Sequence, residues 1–68
     1  MKPINKNWLT PFLKKVNGRL WYATTEKVYY LETLVDGFQE IGHTLEEVKN
    51  EIAYTMEQWE REEKNEKI

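Results

Sequence analysis

The stretch RLWYATTEKVYYLETLVDGFQEI, Arg19 to Ile41, decides how this chain is read. It is dense in β-branched and aromatic residues, which fit a pleated surface better than a helix. Two strands are expected, Arg19–Thr24 and Val28–Val35, on either side of the polar break Thr25-Glu26-Lys27. Asp36-Gly37 then gives a short hairpin signal, with Phe38–Ile41 as the returning strand. Simple alternation sorts Leu20, Tyr22, Val28, Tyr30 and Leu34 to one face, and Trp21, Ala23, Tyr29, Leu31 and Val35 to the other. Both sets are apolar, in a chain of 68 residues that has few elements with which to cover two faces. Another chain is therefore expected to supply part of the cover. A helical alternative stays open over residues 26 to 41. Thr25 can cap it, and Val28, Leu31 and Val35 share a helical face, but Gly37 inside it costs about 1 kcal/mol.

Downstream, Gly42-His43 breaks the strand, and Thr44 with Glu47 forms the capping-box pattern of a helix start. Leu45, Val48, Ile52, Met56 and Trp59 lie within roughly an 80° stripe at 100° per residue. The spacing predicts an amphipathic helix over 44–64, with a frayed tail at 65–68. A helix of about 20 residues spans roughly 30 Å, against nearer 20 Å for a six-residue strand. Its last turns, with Trp59, are expected to project beyond the sheet.

Upstream, residues 1–9 show no period and are expected to form an irregular arm. Thr10-Pro11 reads as a helix start, with Thr10 as N-cap, and Asn17-Gly18 as its end. The same Asn17-Gly18 pair also suits a hairpin turn, so residues 10–17 are a short helix or a strand. The expected class is α+β in a single domain: a small three-stranded antiparallel meander over 19–41 packed against a long C-terminal amphipathic helix.

A core of this size is marginal without a staple. The chain has no cysteine, which removes disulfides and thiolate metal sites, and His43 has no second histidine with which to share a metal. No cofactor is expected. No segment is apolar for long enough to span a bilayer, and MKPINKNW lacks the apolar core of a signal peptide, so the expectation is a cytoplasmic protein with no membrane partner. Charge is uneven. Residues 1–25 hold five bases and no acid; residues 26–68 hold twelve acids and five bases, so the chain runs from +5 to −7. The eight glutamates of the C-terminal helix are interleaved with Lys49, Arg61, Lys64 and Lys67. Pairs such as Glu57–Arg61 at i, i+4 suit a solvated helix face better than a nucleic-acid mimic.

No residue pattern names a reaction. His43 stands alone, no carboxylates share a predicted cleft, and Gly18, Gly37 and Gly42 form no phosphate loop. An enzyme is not expected. The candidate partner-binding residues are Trp21, Tyr29 and Leu31 on the second strand face, Trp59 at the end of the helix stripe, and Tyr54 about 200° from Ile52 on the opposite side of the helix. The alternative is nucleic-acid binding through Trp8, Lys14, Lys15 and Arg19, where rings stack on bases and cations neutralise phosphates.

The segments Leu9-x-Pro11, Asn17–Tyr22, Phe38–Gly42 and Thr44–Lys49 resemble the wing and following helices of MerR-type regulators. That resemblance implies a phosphate contact at Arg19, in a truncated regulator without a full helix-turn-helix. Phe38 through Trp59 is also similar to the strand-to-helix end of HicB-like antitoxins, a junction that implies no particular site. In size and in Lys/Glu/Asn/Ile richness the chain resembles small accessory proteins of phages from low-GC bacteria. The functional expectation is a small non-catalytic protein that inhibits or modulates a host protein in the host cytoplasm and forms a homodimer.

Overall fold

The computed structural model describes residues 1–66. The chain is α+β, in the order β1 (Lys2–Ile4), α1 (Thr10–Val16), β2 (Gly18–Ala23), β3 (Val28–Thr33), β4 (Gly37–Gly42) and α2 (Leu45–Glu66). The strands form one antiparallel sheet in the spatial order β1-β2-β3-β4. The sheet thus has four strands where three were expected. The added strand, β1, lies within the segment read as an irregular arm. Pro3 hid it from the sequence, because proline lacks the N–H of a central strand and is tolerated at an edge. Here β1 is an edge strand, with Pro3 opposite Trp21 and Ile4 opposite Leu20.

Residues 10–16 are helical, which settles the helix-or-strand alternative. The helix begins one residue earlier than Thr10 as N-cap would allow: Leu9 holds the cap position, and the Thr10 hydroxyl donates back to the Lys6 carbonyl. Leu9 is fully buried, and its N–H already bonds Lys6 O at 3.0 Å, so the turn is set before Thr10. Asn17 ends α1 in the left-handed region, at φ 51°, as the Asn-Gly pair suggests. Gly18 follows because a Cβ there would stand 2.8 Å from the Glu32 carbonyl oxygen of the neighbouring strand.

Two turns depart from expectation. Leu34 and Val35, read as the end of a strand, lie in the turn Leu34–Asp36 and are 88 and 91% exposed. The Asp36 N–H bonds Thr33 Oγ1, and Gly37 takes φ +69° where the returning strand starts. The glycine therefore closes the turn instead of centring it, which moves the turn toward the N-terminus. Between β2 and β3, residues 24–27 make a four-residue turn closed by Lys27 in the left-handed region, and Ala23 pairs with Val28. That pairing places Leu20 opposite Leu31, Trp21 opposite Tyr30 and Tyr22 opposite Tyr29. Paired residues share a face. Leu20, Tyr22, Tyr29 and Leu31 therefore form one face, and Trp21, Ala23, Val28 and Tyr30 the other, which corrects the expected grouping.

The main core cluster forms on the first of these faces; on the second, Ala23 and Val28 are also buried, outside that cluster. Leu9 and Phe12 from the α1 side, Leu20 from β2, and Val48 and Ile52 from α2 make one buried cluster. Each such side chain contributes roughly 1.5–3 kcal/mol by leaving water. Ile4, Trp8, Tyr29, Leu31, Ile41 and Trp59 pack around it, so both helices lie on this side of the sheet. The start of α2 is capped as its sequence indicates. The Glu47 N–H bonds Thr44 Oγ1 at 3.1 Å, and the Glu47 carboxylate accepts the N–H of His43, one residue before the usual partner. The helix continues through residues 65 and 66, where fraying was expected; 67 and 68 lie outside the described residues.

Candidate functional site

The sheet positions two surfaces that the helices leave open. The first is its helix-free face. Pro3, Trp21, Tyr30 and Glu40 stand in one cross-strand row, and Arg19, Glu32 and Phe38 in the next. Trp21 is held in place, since its indole N–H donates to Glu32 Oε1 at 2.9 Å. Tyr30 is held at the far side by its hydroxyl, which donates to Glu26. That hydrogen bond, followed by burial and the nearby Glu26 and Glu40 charges, raises the Tyr30 pKa above the ordinary tyrosine range. Phe38 is 51% exposed beside them. The result is an aromatic surface whose polar tips are already bonded within the chain, with Arg19 and three glutamates at its margin.

The second surface is a cleft of about 730 Å³ between the β3–β4 hairpin and α2. Phe12, Leu31, Ile41 and Trp59 contribute its apolar lining; Asp36 and Glu51 contribute two carboxylates, and Glu40, whose side chain belongs to the helix-free row, borders it along β4. No lysine or arginine among the described residues lines it. The neighbouring strand β4 is an edge of the sheet, and its residues from Gly37 to Glu40 are all exposed.

The sequence-derived candidates separate on this frame. Trp21 lies on the helix-free face. Tyr29 and Leu31 do not share that face; they pack against the core under the helices. Trp59 does not project. It stacks on Phe12 with ring centroids 5.5 Å apart and planes 13° from parallel. Lys15 sits over the Trp59 ring at 4.9 Å and pairs with Glu63 at 3.6 Å. The expectation of a projecting indole overlooked α1, which extends the cover along α2 beyond the sheet. Tyr54 is 62% exposed on the outer side of α2.

The four residues of the nucleic-acid alternative do not converge. Lys14 and Lys15 are exposed on α1, and Lys15 is turned to α2. Arg19, next to the buried Leu20, belongs to the helix-free face. Trp8 packs against the core, with Lys49 5.9 Å from its ring centre. No group of three His, Cys, Asp or Glu residues is arranged to hold a metal among the described residues. No helix among them is long and apolar enough to cross a membrane.

Sequence reasoning missed Tyr30, Phe38 and Glu32 as members of the open face. The missing signal was the length of the Thr24–Lys27 turn, which decides how residues pair across it. No protein-family model, curated protein or solved structure matches the chain.

Proposed function

We propose that this chain is a small non-catalytic binding protein that modulates another protein, with the helix-free sheet face as its contact surface. The observation that carries the reading is the aromatic Trp21–Tyr30–Phe38 surface, in which Trp21 and Tyr30 are held by internal hydrogen bonds and Phe38 is 51% exposed. Fixed aromatic side chains give large contact area at little conformational cost, which is why they dominate binding energy at interfaces. An accessory factor of phage or mobile-element type is the biological setting this reading fits.

Size favours a different protein over a second copy. Four strands about 4.8 Å apart and about 20 Å long offer a flat patch of roughly 300 Å². A standard interface takes roughly 800 Å² from each partner. Two copies stacked face to face therefore bury too little to hold firmly. A larger partner that also reaches the sheet edge has no such limit. The dispersal of Lys14, Lys15, Arg19 and Trp8 supports protein over nucleic acid as the ligand.

The test is capture from a lysate of the source organism with two baits, the native chain and a Trp21→Ser/Phe38→Ser variant. The reading expects a protein retained by the first and lost by the second, at equal folded content by circular dichroism. Retention by both removes this face as the contact surface. A shift of nucleic acid at low salt that is abolished by Lys14→Ala, Lys15→Ala and Arg19→Ala would replace the reading with the alternative. Light scattering addresses the homodimer: twice 8.3 kDa, reduced to 8.3 kDa by the face variant, makes a second copy the occupant after all.

A further inference from the structure

The edge of the sheet at β4 and the cleft beside it have complementary properties. Edge strands present unpaired backbone N–H and C=O groups, and proteins usually blunt them with proline, lysine or a covering element. The opposite edge, β1, is three residues long and carries Pro3. The β4 edge is six residues long and contains neither proline nor lysine. Among the described residues, no backbone bond outside the sheet ladder and no side-chain bond reaches Gly37, Phe38, Gln39 or Glu40. An extended segment laid along this edge has donors and acceptors to pair with.

The cleft sets which segment fits. In a strand added beside β4, alternate side chains point to the helix side of the sheet, where the cleft opens. There they meet Ile41, Trp59 and the carboxylates of Asp36 and Glu51, with no base among the described lining residues. An apolar floor under an acidic rim selects side chains that carry a cation on an apolar stem, or that alternate apolar with basic. A second copy of the chain is disfavoured by a charge on β4 itself. Antiparallel pairing of β4 with itself would bring Glu40 toward its own counterpart, and like charges directly opposed destabilise a sheet.

Resting on the reading of the chain as a protein-binding module, we infer that β4 receives an extended basic-and-apolar segment of the partner as a fifth strand, whose alternate side chains enter the cleft beneath α2. The helix-free face and the β4 edge then meet at Phe38 and Glu40, which belong to both, and one partner can engage them together.

The test uses the full chain and a displayed library of random twelve-residue peptides. Selection should enrich Lys or Arg alternating with Val, Ile or Leu. Synthetic copies of the enriched peptides are then measured by fluorescence anisotropy. N-Methylation of the peptide backbone should abolish binding at every second position and leave the intervening positions unaffected. Asp36→Lys with Glu51→Lys should weaken binding about tenfold or more, since the cation then meets like charge. The inference is overturned by no enrichment, by enrichment of acidic sequences, by indifference to N-methylation, or by a β4-paired dimer of the chain itself. If peptides fail while a protein is still captured through Trp21 and Phe38, strand addition falls alone. If capture also fails, the binding-protein reading falls with it.

Discussion

Leu20 and Trp21 are neighbours in the chain, point to opposite sides of one strand, and meet opposite surroundings. Leu20 is sealed beneath α1 and α2, in one cluster with Leu9, Phe12, Val48 and Ile52. Trp21 stands half-buried on the side without helices, its indole tied to Glu32. Both residues are apolar, so hydrophobicity alone does not distinguish core from surface here. The distinction comes from the helices: both α1 and α2 of the described residues lie on one face. The first face carries the main cluster; the second buries Ala23 and Val28 and leaves Trp21 and Tyr30 half-buried beside the exposed Phe38.

Substitutions on the two faces should therefore differ in kind. The largest effect is expected at Leu20→Ala. Deleting a fully buried leucine costs about 2–5 kcal/mol, and a core of this size rarely supplies more than about 3–5 kcal/mol. Thermal melts followed by circular dichroism should show this variant largely unfolded at 25 °C; a native-like melt would mean that the cluster is not the source of stability. Trp59→Ala should cost about 2 kcal/mol, since a half-buried ring loses its stack on Phe12. Urea titration measures it, and a change near zero would return Trp59 to the surface. Across the sheet, Trp21→Ser should alter stability by less than about 1 kcal/mol while removing the captured partner. A loss as large as that of Leu20→Ala would erase the difference between the faces.

Smaller effects sharpen the account at its margins. Thr44→Ala removes the hydroxyl that accepts the Glu47 N–H and should cost about 1 kcal/mol. The same urea titration reports it. On the open face, Glu26→Gln should lower the pH at which Tyr30 ionises, because the carboxylate that holds the phenol proton becomes a neutral amide. Ultraviolet absorbance of the phenolate, compared with a Tyr30→Phe control, follows the transition. An unchanged Tyr30 transition would mean that the hydroxyl is not tied to Glu26.

Where the sequence was legible, the physics was local. The stripe from Leu45 to Trp59 and the Thr44–Glu47 cap define α2 within one segment. The aromatic and β-branched runs define β2 and β3 the same way. What escaped was non-local or depended on counting. Strand β1 exists only because Lys2–Ile4 finds β2, and three residues with a proline carry no strand signal of their own. Leu34 and Val35 are good strand formers placed in a turn by the φ requirement of Gly37 three and two residues later. The grouping of residues into faces hinged on the four residues of the Thr24–Lys27 turn. The stack of Trp59 on Phe12 joins residues 47 positions apart, which no periodicity reveals. The open face was legible as an excess of apolar side chains. Its members became clear only once Trp21 was seen opposite Tyr30.

Hydroxyl-radical footprinting tests most directly that one face holds the fold and the other meets the partner. In the isolated chain at high dilution, Trp21 and Phe38 should oxidise readily, as should the exposed Tyr54, while Phe12 stays protected. In the captured complex, Trp21 and Phe38 should become protected, with Tyr54 unchanged. Protection of Trp21 and Phe38 in the dilute isolated chain, or undiminished oxidation of both in the complex, would contradict the account.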